Sequence, residues 1–252
     1  MKPKLSVVIT NYNEKENLER GVLDQMLSYL KKVDFTWEVI INDDGSSDGG
    51  EKIIQKFVDR NAGFRLIHGK HGGKAAGILN GIKVASGEII LTTDMDQSTP
   101  LSEFNKLLPW FLKGHDVVFG SRGKMRENFP WYRQLTSWGF RTIRSIFLLR
   151  HVSDTQCGFK AFRSDVIKRI FPHLAVLKPK KGPTGWVVSA YDVELLYMAE
   201  KIGASLKEVQ VKWRNEDTST GKQRNFFKES GDMLKQIIMV KMNDIVGKYE
   251  KI

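Results

Sequence analysis

The chain of 252 residues carries 40 Lys and Arg residues against 29 Asp and Glu residues, which gives a formal net charge of +11, and 41% of its residues are hydrophobic. This composition excludes a disordered or fibrous protein, the lone Cys157 excludes an internal disulfide framework, and no apolar run approaches the roughly 20 residues of a membrane-spanning helix. The excess positive charge indicates a nucleic acid, a membrane surface or a phosphate-rich substrate as the partner.

The first half of the chain alternates short apolar runs, typical of buried strands, with amphipathic stretches, typical of helices. Asn13 and Glu16 stand three residues apart, a spacing that predicts a capping box at the start of the first helix. Alternating strands and helices predict right-handed crossovers and an α/β, doubly wound, mainly parallel sheet. The predicted strands are 5–10, 37–42, 64–67, 88–93 and 116–119. The predicted helices include residues 18–30, 53–58 and 74–85, and a further helix begins at 101.

The second half is less regular and is rich in basic residues between 122 and 150. Residues 154–163 and 178–186 are predicted to be turns and loops, and 191–202 is predicted to be a helix that ends at Gly203. An alternating strand through 209–213 and a polar loop, 214–224, follow. A C-terminal helix is then predicted from an apolar stripe formed by Phe227, Leu234, Ile238, Met242 and Ile245.

Two carboxylates stand two residues apart at the end of the fourth predicted strand, in the segment Thr92-Thr-Asp94-Met-Asp96. From an extended or turning backbone, one or both can reach a divalent cation, and Mg²⁺ and Mn²⁺ prefer such oxygen ligands. An ion held in this way would take some of its other ligands from substrate phosphates. The same residues would suit a solvated turn or a helix N-cap, so the spacing alone leaves both interpretations open.

A second acidic cluster, Asp43-Asp44-Gly45-Ser46-Ser47-Asp48, follows the second predicted strand directly. A turn so rich in acceptors can take the ring N–H groups of a nucleobase or the hydroxyl groups of a ribose. It would also form a tight turn with a helix cap, and the two interpretations are compatible. In doubly wound sheets, ligands bind beyond the carboxyl ends of the strands, which is where both acidic clusters are predicted to lie.

Taken together, these motifs resemble the successive signatures of family 2 glycosyltransferases with the GT-A fold. The segments that carry the resemblance are 7–14, 42–48, 72–74 with Gly81, and 93–96. Two more segments, 118–122 and 153–160, narrow it to the polyprenyl-phosphate glycosyltransferases, and 192–196 also fits. The stretch 154–162 is most similar to dolichyl-phosphate glucosyltransferases, with the mannose synthases next. The resemblance covers nearly the whole chain.

The resemblance implies roles for individual residues on the nucleotide side. Asp44 would hold the base or the ribose, and Lys74 would lie near the base or the diphosphate. Asp96 would be the direct metal ligand, with Asp94 beside it, and Ser98 stands where some mannose synthases carry a Gln that would be a third ligand. The residues implied to bind the nucleotide are Thr10, Asn11, Glu14, Asp44, Lys74, Asp94, Met95 and Asp96.

On the acceptor side, the resemblance implies that Arg122 faces the acceptor phosphate. If 131–149 is helical, basic residues fall on one stripe and apolar ones on the opposite stripe, as in a helix that lies in a lipid headgroup layer. Arg133 and Ser137, one turn apart, would then bind a lipid-borne phosphate, as the family implies. An ordinary helix that packs its Trp face on the core would give the same pattern. The apolar stripe consists of Trp131, Leu135, Trp138, Thr142, Ile146 and Leu149.

Three other features complete the predicted site. Cys157 is interpreted as a packing residue that fits a reducing compartment. Asp192 is predicted to touch the sugar or to hold a basic neighbour, because a phosphate acceptor, whose second pKa is near 6, is mostly ionised at neutral pH and needs no general base. A loop that carries Arg214, Lys222 and Arg224 would fold over the diphosphate.

These inferences predict an inverting, metal-dependent transfer of a hexose from a nucleotide-diphospho-sugar to a membrane polyprenyl phosphate, with UDP-glucose as the first donor and GDP-mannose as the second. Mg²⁺ or Mn²⁺ would be the cofactor. One GT-A domain would span 1–252, with a nucleotide-sugar half (1–121), an acceptor half (122–224) and a C-terminal amphipathic helix (225–252). The catalytic residues would be Asp96, Arg122, Arg133, Ser137 and Asp192.

The predicted protein is peripheral, on the cytoplasmic face of a membrane, and a separate membrane-anchor protein stays open as a further partner. The alternative enzyme transfers sugar to a polysaccharide or protein hydroxyl, which would require a general base. The non-enzyme alternatives are a basic nucleic-acid-binding or lipid-phosphate-binding protein. The acidic clusters argue against nucleic acid, because without a metal they would repel its phosphates.

Overall fold

The computed structural model describes residues 3–123, 149, 152–178, 191–214 and 226–250, and for 226–230, 232, 233 and 236 it describes the backbone alone. Within these ranges the chain forms seven strands of one sheet. The strands are β1 (Leu5–Asn11), β2 (Trp37–Asp43), β3 (Phe64–His68), β4 (Ile89–Asp94), β5 (Val117–Ser121), β6 (Lys160–Arg163) and β7 (Leu206–Gln210).

Eight α-helices accompany the sheet in the same ranges, together with short 3₁₀ turns at Leu101–Glu103, Phe171–His173 and Ala175–Leu177. The helices are α1 (Lys15–Glu19), α2 (Val22–Leu30), α3 (Gly50–Val58), α4 (Lys74–Val84), α5 (Phe104–Leu112), α6 (Ser164–Ile170), α7 (Tyr191–Lys201) and α8 (Phe226–Ile245). The predicted α/β alternation of the first half is therefore confirmed.

The strands lie in the order β3-β2-β1-β4-β6-β5-β7, and the neighbours from β3 to β4 are all parallel. The register pairs Thr10 with Asn42 on one side and with Asp94 on the other. Parallel strands in this register end together, so the polar residues that follow β1, β2 and β4 meet at one edge of the sheet. The predicted mainly parallel, doubly wound arrangement is confirmed.

Alternate residues of the central strands face two separate hydrophobic cores. Val8 packs in one core, whereas its neighbours Val7 and Ile9 pack in the other. Helices α1, α2, α3 and α5 cover the face of Val7, and α4, α6, α7 and α8 cover the face of Val8. Each buried Leu, Ile or Val side chain contributes roughly 1.5–3 kcal/mol relative to an exposed one, so the sheet is held from both faces.

The prediction that 154–163 is a turn is wrong for its last four residues, which form β6. This strand runs antiparallel to both β4 and β5, and Lys160 lies opposite Thr92 of one neighbour and Phe119 of the other. Its sequence, Lys-Ala-Phe-Arg, is too short and too polar to predict a buried strand. The strand exists because two adjacent edges of the sheet supply hydrogen-bond partners on both sides.

The predicted capping box at Asn13 and Glu16 is also wrong. Asn13 has a left-handed backbone, with φ of 54°, and its Oδ1 accepts the backbone N–H of Ser47 instead of capping α1. The single helix predicted to follow is divided into α1 and α2 by Gly21, whose φ is 82°. The apolar spacing survives this break, since Leu18, Val22, Met26 and Leu30 are all buried.

The strand predicted at 209–213 lies earlier, at Leu206–Gln210, because β5 sets its register. Beyond β7 the chain crosses the edge of the sheet, where the N–H of Lys212 donates to Glu103 Oε2 at 2.9 Å and that of Arg214 donates to the carbonyl of Ser98 at 2.8 Å. The helix predicted at 131–149 lies outside the described residues, with the exception of Leu149. The side chain of Leu149 is buried in the core and therefore faces no lipid. In the described part of the chain, no helix combines the length and apolarity that a bilayer crossing demands.

Candidate active site

The carboxyl ends of β1 and β2 carry a network of short polar side chains. Asn11 Nδ2 donates to Asp43 Oδ1 over 2.6 Å and to Ser46 Oγ over 3.0 Å. Asp43 Oδ2 accepts the backbone N–H groups of Gly45 and Ser46, so this carboxylate shapes the turn after β2. Because the amide nitrogen of Asn11 donates to Asp43, the amide oxygen of Asn11, Oδ1, is left as an acceptor. This buried atom has no hydrogen-bond partner among the described residues. The first strand end therefore offers one buried acceptor.

Asp44 is fully buried and joins the end of β2 to the start of α4. Its two carboxylate oxygens accept the backbone N–H groups of Gly72 and Gly73 at 3.0 and 2.8 Å. Two backbone N–H groups of the Gly-rich turn at 71–74 thus bind a carboxylate of the same chain. The implied role of Asp44 toward a base or ribose stays a prediction, and the contact found here fixes the first residue of α4, Lys74.

Lys74 reaches from the start of α4 to the end of β4, where its Nζ lies 2.5 Å from Asp94 Oδ1. The other oxygen of Asp94 lies against Gly158, where an added Cβ would approach Oδ2 to 2.2 Å. A glycine is therefore required at 158 for the carboxylate to sit as it does. The Asp94 side chain is 40% exposed, so the pair opens to solvent.

The same pair is electrostatically linked to the start of α7. Burial alone would lower the pKa of Lys74, but the charge of Asp94, followed by Tyr191 and Asp192, raises it well above its usual range. Burial, followed by the charge of Asp192, raises the pKa of Tyr191 in turn. Lys74 is therefore permanently cationic, and the end of β4 and the first turn of α7 share one electrostatic environment.

Asp96 forms a tight turn immediately after β4. Its Oδ1 accepts the N–H of Ser98 and its Oδ2 accepts the Ser98 hydroxyl, both at 2.9 Å. Gln97, between them, has φ of 50° and donates from Nε2 to the carbonyl of Asp94. A guanidinium N–H of Arg20 donates to the Asp96 carbonyl. The position of Asp96 is thus set by its own turn and by α1–α2.

Arg122 follows β5 and forms a bidentate pair with Asp154. Arg122 Nε and Nη2 each donate to a different Asp154 oxygen at 2.8 Å, and the Arg122 backbone N–H donates to Oδ2 at 3.0 Å. The guanidinium also lies over the ring of Trp213, 5.7 Å from its centroid. Burial opposes ionisation of Asp154, but the hydrogen bonds and charge of Arg122 hold the pKa of that carboxyl well below its usual range. Arg122 is therefore a fixed cation at this edge.

Lys160 is a buried cation at the start of β6, with 1% of its side chain exposed. Its Nζ donates to the carbonyl of Cys157 and to Asp192 Oδ1, the latter over 2.6 Å. Of the two roles predicted for Asp192, holding a basic neighbour is the one that the structure contains. Cys157 is buried and burial raises the pKa of its thiol, as the packing interpretation expects.

The structure brings most of the predicted residues of the described ranges to the same edge of the sheet. Thr10 is buried beside Gly77, where an added Cβ would lie 2.6 Å from its methyl group, and Met95 is buried in the core. Glu14 accepts from Asn17 Nδ2. Arg214 is exposed next to Ser98. The predictions for Arg133, Ser137, Lys222 and Arg224 lie outside the described residues.

Three residues of this edge were not predicted as site residues: Asp154, Lys160 and Glu208. The first two belong to the family segment 153–160, and an acid and a lysine six residues apart were a signal that charge pairs would form there. Glu208 of β7 accepts from the N–H and hydroxyl of Ser153 and from the N–H of Asp154, at 2.7–2.8 Å. Nothing in the sequence around Glu208 marks this contact.

The described residues contain no cluster of three or more His, Cys, Asp or Glu side chains able to hold a metal ion. The donor set at the end of β4 is two carboxylates, Asp94 and Asp96, both hard oxygen ligands. Two carboxylates fit a divalent cation that takes its remaining ligands from water and from substrate phosphates, and they do not form a closed protein cage. The residues present therefore fit a shared ion.

Glu194, which the family motif placed beside Asp192, belongs to the core of the protein. It is buried, accepts from the N–H of Ala175 and from the hydroxyl of Tyr249, and burial raises its pKa. These contacts join α7 to the segment after α8. Glu194 therefore holds the C-terminal segment on the sheet.

The chain is similar to known proteins over most of its length. Residues 6–171 match the family model described as Glycosyl transferase family 2. The chain is 30% identical to a dolichyl-phosphate beta-glucosyltransferase of Dictyostelium discoideum, over 96% of this chain and 75% of that protein. It is 32% identical to the Homo sapiens protein of the same name, over 83% of this chain and 67% of that protein.

Solved structures share the fold at lower identity. The glucosyl-3-phosphoglycerate synthase of Mycobacterium tuberculosis, in complex with Mn²⁺, uridine diphosphate and glucosyl-3-phosphoglycerate, matches with a TM-score of 0.60 and 19% identity, over 96% of this chain and 79% of that one. The mannosyltransferase PcManGT of Pyrobaculum calidifontis, in complex with GDP-Man and Mn²⁺, matches with a TM-score of 0.61 and 16% identity, over 95% and 65%. These likenesses confirm the GT-A fold.

Proposed function

Because the chain belongs to glycosyl transferase family 2 and is a glycosyltransferase, we propose that it transfers glucose from UDP-glucose to a membrane polyprenyl phosphate. The observation that carries the proposal is the meeting of two kinds of group at one edge of the sheet: the carboxylates of Asp94 and Asp96, and the fixed guanidinium of Arg122. The relatives named as dolichyl-phosphate glucosyltransferases supply the acceptor class and the sugar. GDP-mannose is the second donor to test.

On the nucleotide side, the ends of β1 and β2 would receive the nucleoside. Asn11 would offer its buried acceptor and Asp44 would hold the turn, while Lys74 would face the diphosphate. A divalent cation, Mg²⁺ or Mn²⁺, would be held by Asp94 and Asp96 and would supply Lewis-acid stabilisation of the leaving diphosphate. The Mn²⁺ and nucleotide in the complexes with similar folds support this assignment.

On the acceptor side, Arg122 would orient the lipid phosphate, together with Arg133 and Ser137 of the neighbouring segment. A phosphate oxygen, mostly ionised at neutral pH, would attack the anomeric carbon from the face opposite the leaving group, which inverts its configuration. The chain then contributes positioning and fixed positive charge, and no side chain has to remove a proton. Asp192, bound to the ammonium of Lys160, fits this arrangement better than the role of a general base.

The proposal includes peripheral association with the cytoplasmic face of a membrane, and α8 supports the association with a membrane surface. Leu234, Ile238, Met242 and Ile245 form one stripe along this helix and are 37, 52, 62 and 74% exposed. At about 100° per residue, Lys235 and Lys241 fall about 60° to either side of the stripe, which suits a helix lying among lipid headgroups. A separate membrane-anchor protein stays a further candidate partner for the same stripe.

Sedimentation with vesicles tests the membrane part of the proposal. We expect Ile238→Gln with Met242→Gln to reduce the bound fraction severalfold on vesicles of phosphatidylcholine and phosphatidylserine, whose anionic headgroups attract basic residues at a membrane surface. Leu112→Gln is the matched control, because Leu112 is 77% exposed on α5, away from the stripe. Equal binding of both variants and the parent protein would contradict the assignment of the stripe.

A donor panel tests the reaction. Radiolabelled UDP-glucose, GDP-mannose and other nucleotide sugars are offered with polyprenyl phosphate vesicles and Mg²⁺ or Mn²⁺, and the labelled lipid is measured. We expect label in polyprenyl-phosphate-glucose from UDP-glucose, and none when a chelator is present. Transfer to a polysaccharide or protein hydroxyl, with no labelled lipid, would replace the proposal by its enzyme alternative.

A further inference from the structure

The ion pair between Lys74 and Asp94 occupies the carboxylate that the proposed function assigns to a divalent cation. Lys74 Nζ lies 2.5 Å from Asp94 Oδ1, in direct charge-assisted contact, and a metal ion on the same oxygen would need nearly the same position. The second oxygen, Oδ2, lies against Gly158 and leaves little space on that side. The ammonium group and a cation therefore share one binding position.

The Lys74 ammonium is held at this position by the fold. The two oxygens of Asp44 bind the N–H groups of Gly72 and Gly73, which fixes the residue where α4 begins. Gly73 has φ of 83°, a backbone that a side chain would strain, so the turn that delivers Lys74 depends on glycine. The lysine stem can rotate, but its backbone anchor cannot move away from β4.

Electrostatic repulsion from the Lys74 ammonium weakens the binding of a divalent cation at Asp94. A unit charge and a double charge about 5 Å apart repel by roughly 3 kcal/mol at an effective dielectric constant near 40, unless an anion lies between them. Two further cations of this edge, Arg122 and Lys160, are already engaged by Asp154 and Asp192. A nucleoside diphosphate would supply the missing negative charge and could accept the Lys74 ammonium on a phosphate oxygen.

We infer that Lys74 competes with the divalent cation for Asp94, so that the cation binds weakly alone and tightly together with a nucleoside diphosphate. The inference rests on the proposed function for the class of nucleotide, and it deepens that function by making Lys74 an exchangeable counter-ion. Lys74 is thereby a positioning residue that moves from the Asp94 carboxylate to the diphosphate. By linkage, Mn²⁺ must strengthen nucleotide binding by the same factor as nucleotide strengthens Mn²⁺ binding.

Binding of Mn²⁺, measured by electron paramagnetic resonance without any acceptor or transfer, tests the inference. In the parent protein we expect UDP to tighten Mn²⁺ binding by about tenfold to a hundredfold. In Lys74→Met we expect Mn²⁺ alone to bind about tenfold more tightly, and the gain from UDP to shrink correspondingly. Lys74→Arg keeps the charge and should keep weak binding of Mn²⁺ alone.

Lys70→Met is the matched control, since Lys70 is an exposed lysine of the same loop. It removes an equal charge and should leave Mn²⁺ binding unchanged. The inference is overturned if Lys74→Met, folded by its thermal unfolding curve, binds Mn²⁺ alone no more tightly than Lys70→Met does. It is equally overturned if UDP does not tighten Mn²⁺ binding in the parent protein. Failure of glucose transfer with these binding results intact would overturn the proposed function and leave the competition standing.

Discussion

The two sides of the candidate site are held in place by different means. On the nucleotide side, the turn carboxylates accept backbone N–H groups close by in the chain, as Asp43 does from Ser46 and Asp96 from Ser98, and Asp44 alone of the three reaches a distant turn, at Gly72 and Gly73. On the acceptor side, long side chains pair across 32 residues, as Arg122 does with Asp154 and Lys160 with Asp192. The turn carboxylates Asp43 and Asp96 are therefore held by local contacts, whereas the acceptor-side pairs depend on the whole fold.

This difference determines what a substitution should do. A turn carboxylate that loses its charge gives up a hydrogen bond of about 1 kcal/mol, and the backbone keeps its course. A buried ion pair that loses one partner leaves an uncompensated charge, which costs about 3–5 kcal/mol. Substitutions on the nucleotide side should therefore separate activity from stability, and those on the acceptor side should reduce both.

Removal of Asp96 should have the largest effect on transfer. Asp96→Ala takes away the proposed direct ligand of the cation, and we expect labelled lipid product to fall about 10³-fold with every donor. The free energy of unfolding should fall by only about 2 kcal/mol, because the lost contacts include two hydrogen bonds to Ser98 of about 1 kcal/mol each. Radiolabel transfer and denaturant unfolding measure the two effects.

Asp48→Ala is the control for this substitution. Asp48 is also a turn carboxylate, accepting the N–H groups of Lys15 and Gly50 at 2.8 Å, but it is separate from the end of β4. It should lose similar stability and keep most of the transfer activity. If Asp96→Ala and Asp48→Ala lost activity equally, the metal role of Asp96 would be refuted.

Breaking the Arg122 pair should come second. Asp154→Asn keeps the shape of the side chain but leaves Arg122 without its carboxylate, and both side chains are largely buried. We expect about 3 kcal/mol less stability in denaturant unfolding and about 100-fold slower transfer. Glu88→Gln, which breaks the exposed pair with Lys4, should cost less than about 1 kcal/mol.

Asp154→Asn also tests how the stability of the protein depends on pH. The pKa of Asp154 is lower in the folded protein than its usual value near 3.9, so the folded state binds fewer protons on this group. Its stabilisation is therefore complete above about pH 5 and is lost as the pH falls toward the folded pKa. The difference in unfolding free energy between the parent protein and Asp154→Asn should be constant from pH 5 to 8 and should shrink below about pH 4. A difference that grew on acidification would contradict the ion pair.

The Lys160–Asp192 pair should show a smaller effect on transfer and a clear coupling. We expect Asp192→Asn to slow transfer to a phosphate acceptor about tenfold, because Asp192 acts by holding Lys160. Asp192→Asn with Lys160→Met removes both charges and should recover much of the lost stability, which a double-mutant cycle measures. Complete loss of turnover in Asp192→Asn, with stability intact, would instead identify a general base and a hydroxyl acceptor.

The smallest expected effect comes from Glu208. Glu208→Gln keeps one acceptor oxygen for the backbone of Ser153 and Asp154 and loses the other. We expect transfer to slow about threefold to tenfold, mainly through a higher KM for the lipid phosphate, since the segment that carries Asp154 would be held less firmly. Steady-state kinetics with varied acceptor checks this split, and an unchanged KM would argue against the link to Arg122.

Sequence reasoning predicted the part of the molecule that local patterns specify. The strands up to β5 follow from apolar runs, and Asp44, Asp94 and Asp96 follow from motifs placed directly after strands. Arg122, after β5, came from the resemblance to the family, through the segment 118–122. These positions need no knowledge of distant chain segments, because parallel strands in register bring their ends together.

The rest depends on contacts that no local pattern reports. β6, which runs from Lys160 to Arg163, forms because the edges of β4 and β5 supply its hydrogen-bond partners. The start of β7 is set by its register with β5. The partners of Arg122 and Lys160 are far away in the chain. The backbone of Asn13 was mispredicted because Ser47, a residue of another turn, competes for its side chain.

The place of β6 has a consequence for how the protein is made. This strand fills the space between β4 and β5 although both are synthesised before it, so each leaves the ribosome with an edge that has no partner. Unpaired edges are templates for association with other chains. The contact of Asp94 with Gly158 thus cannot form before residue 158 is synthesised, and a nascent chain that has reached only Ser121 leaves one edge of β4 open to association with other chains.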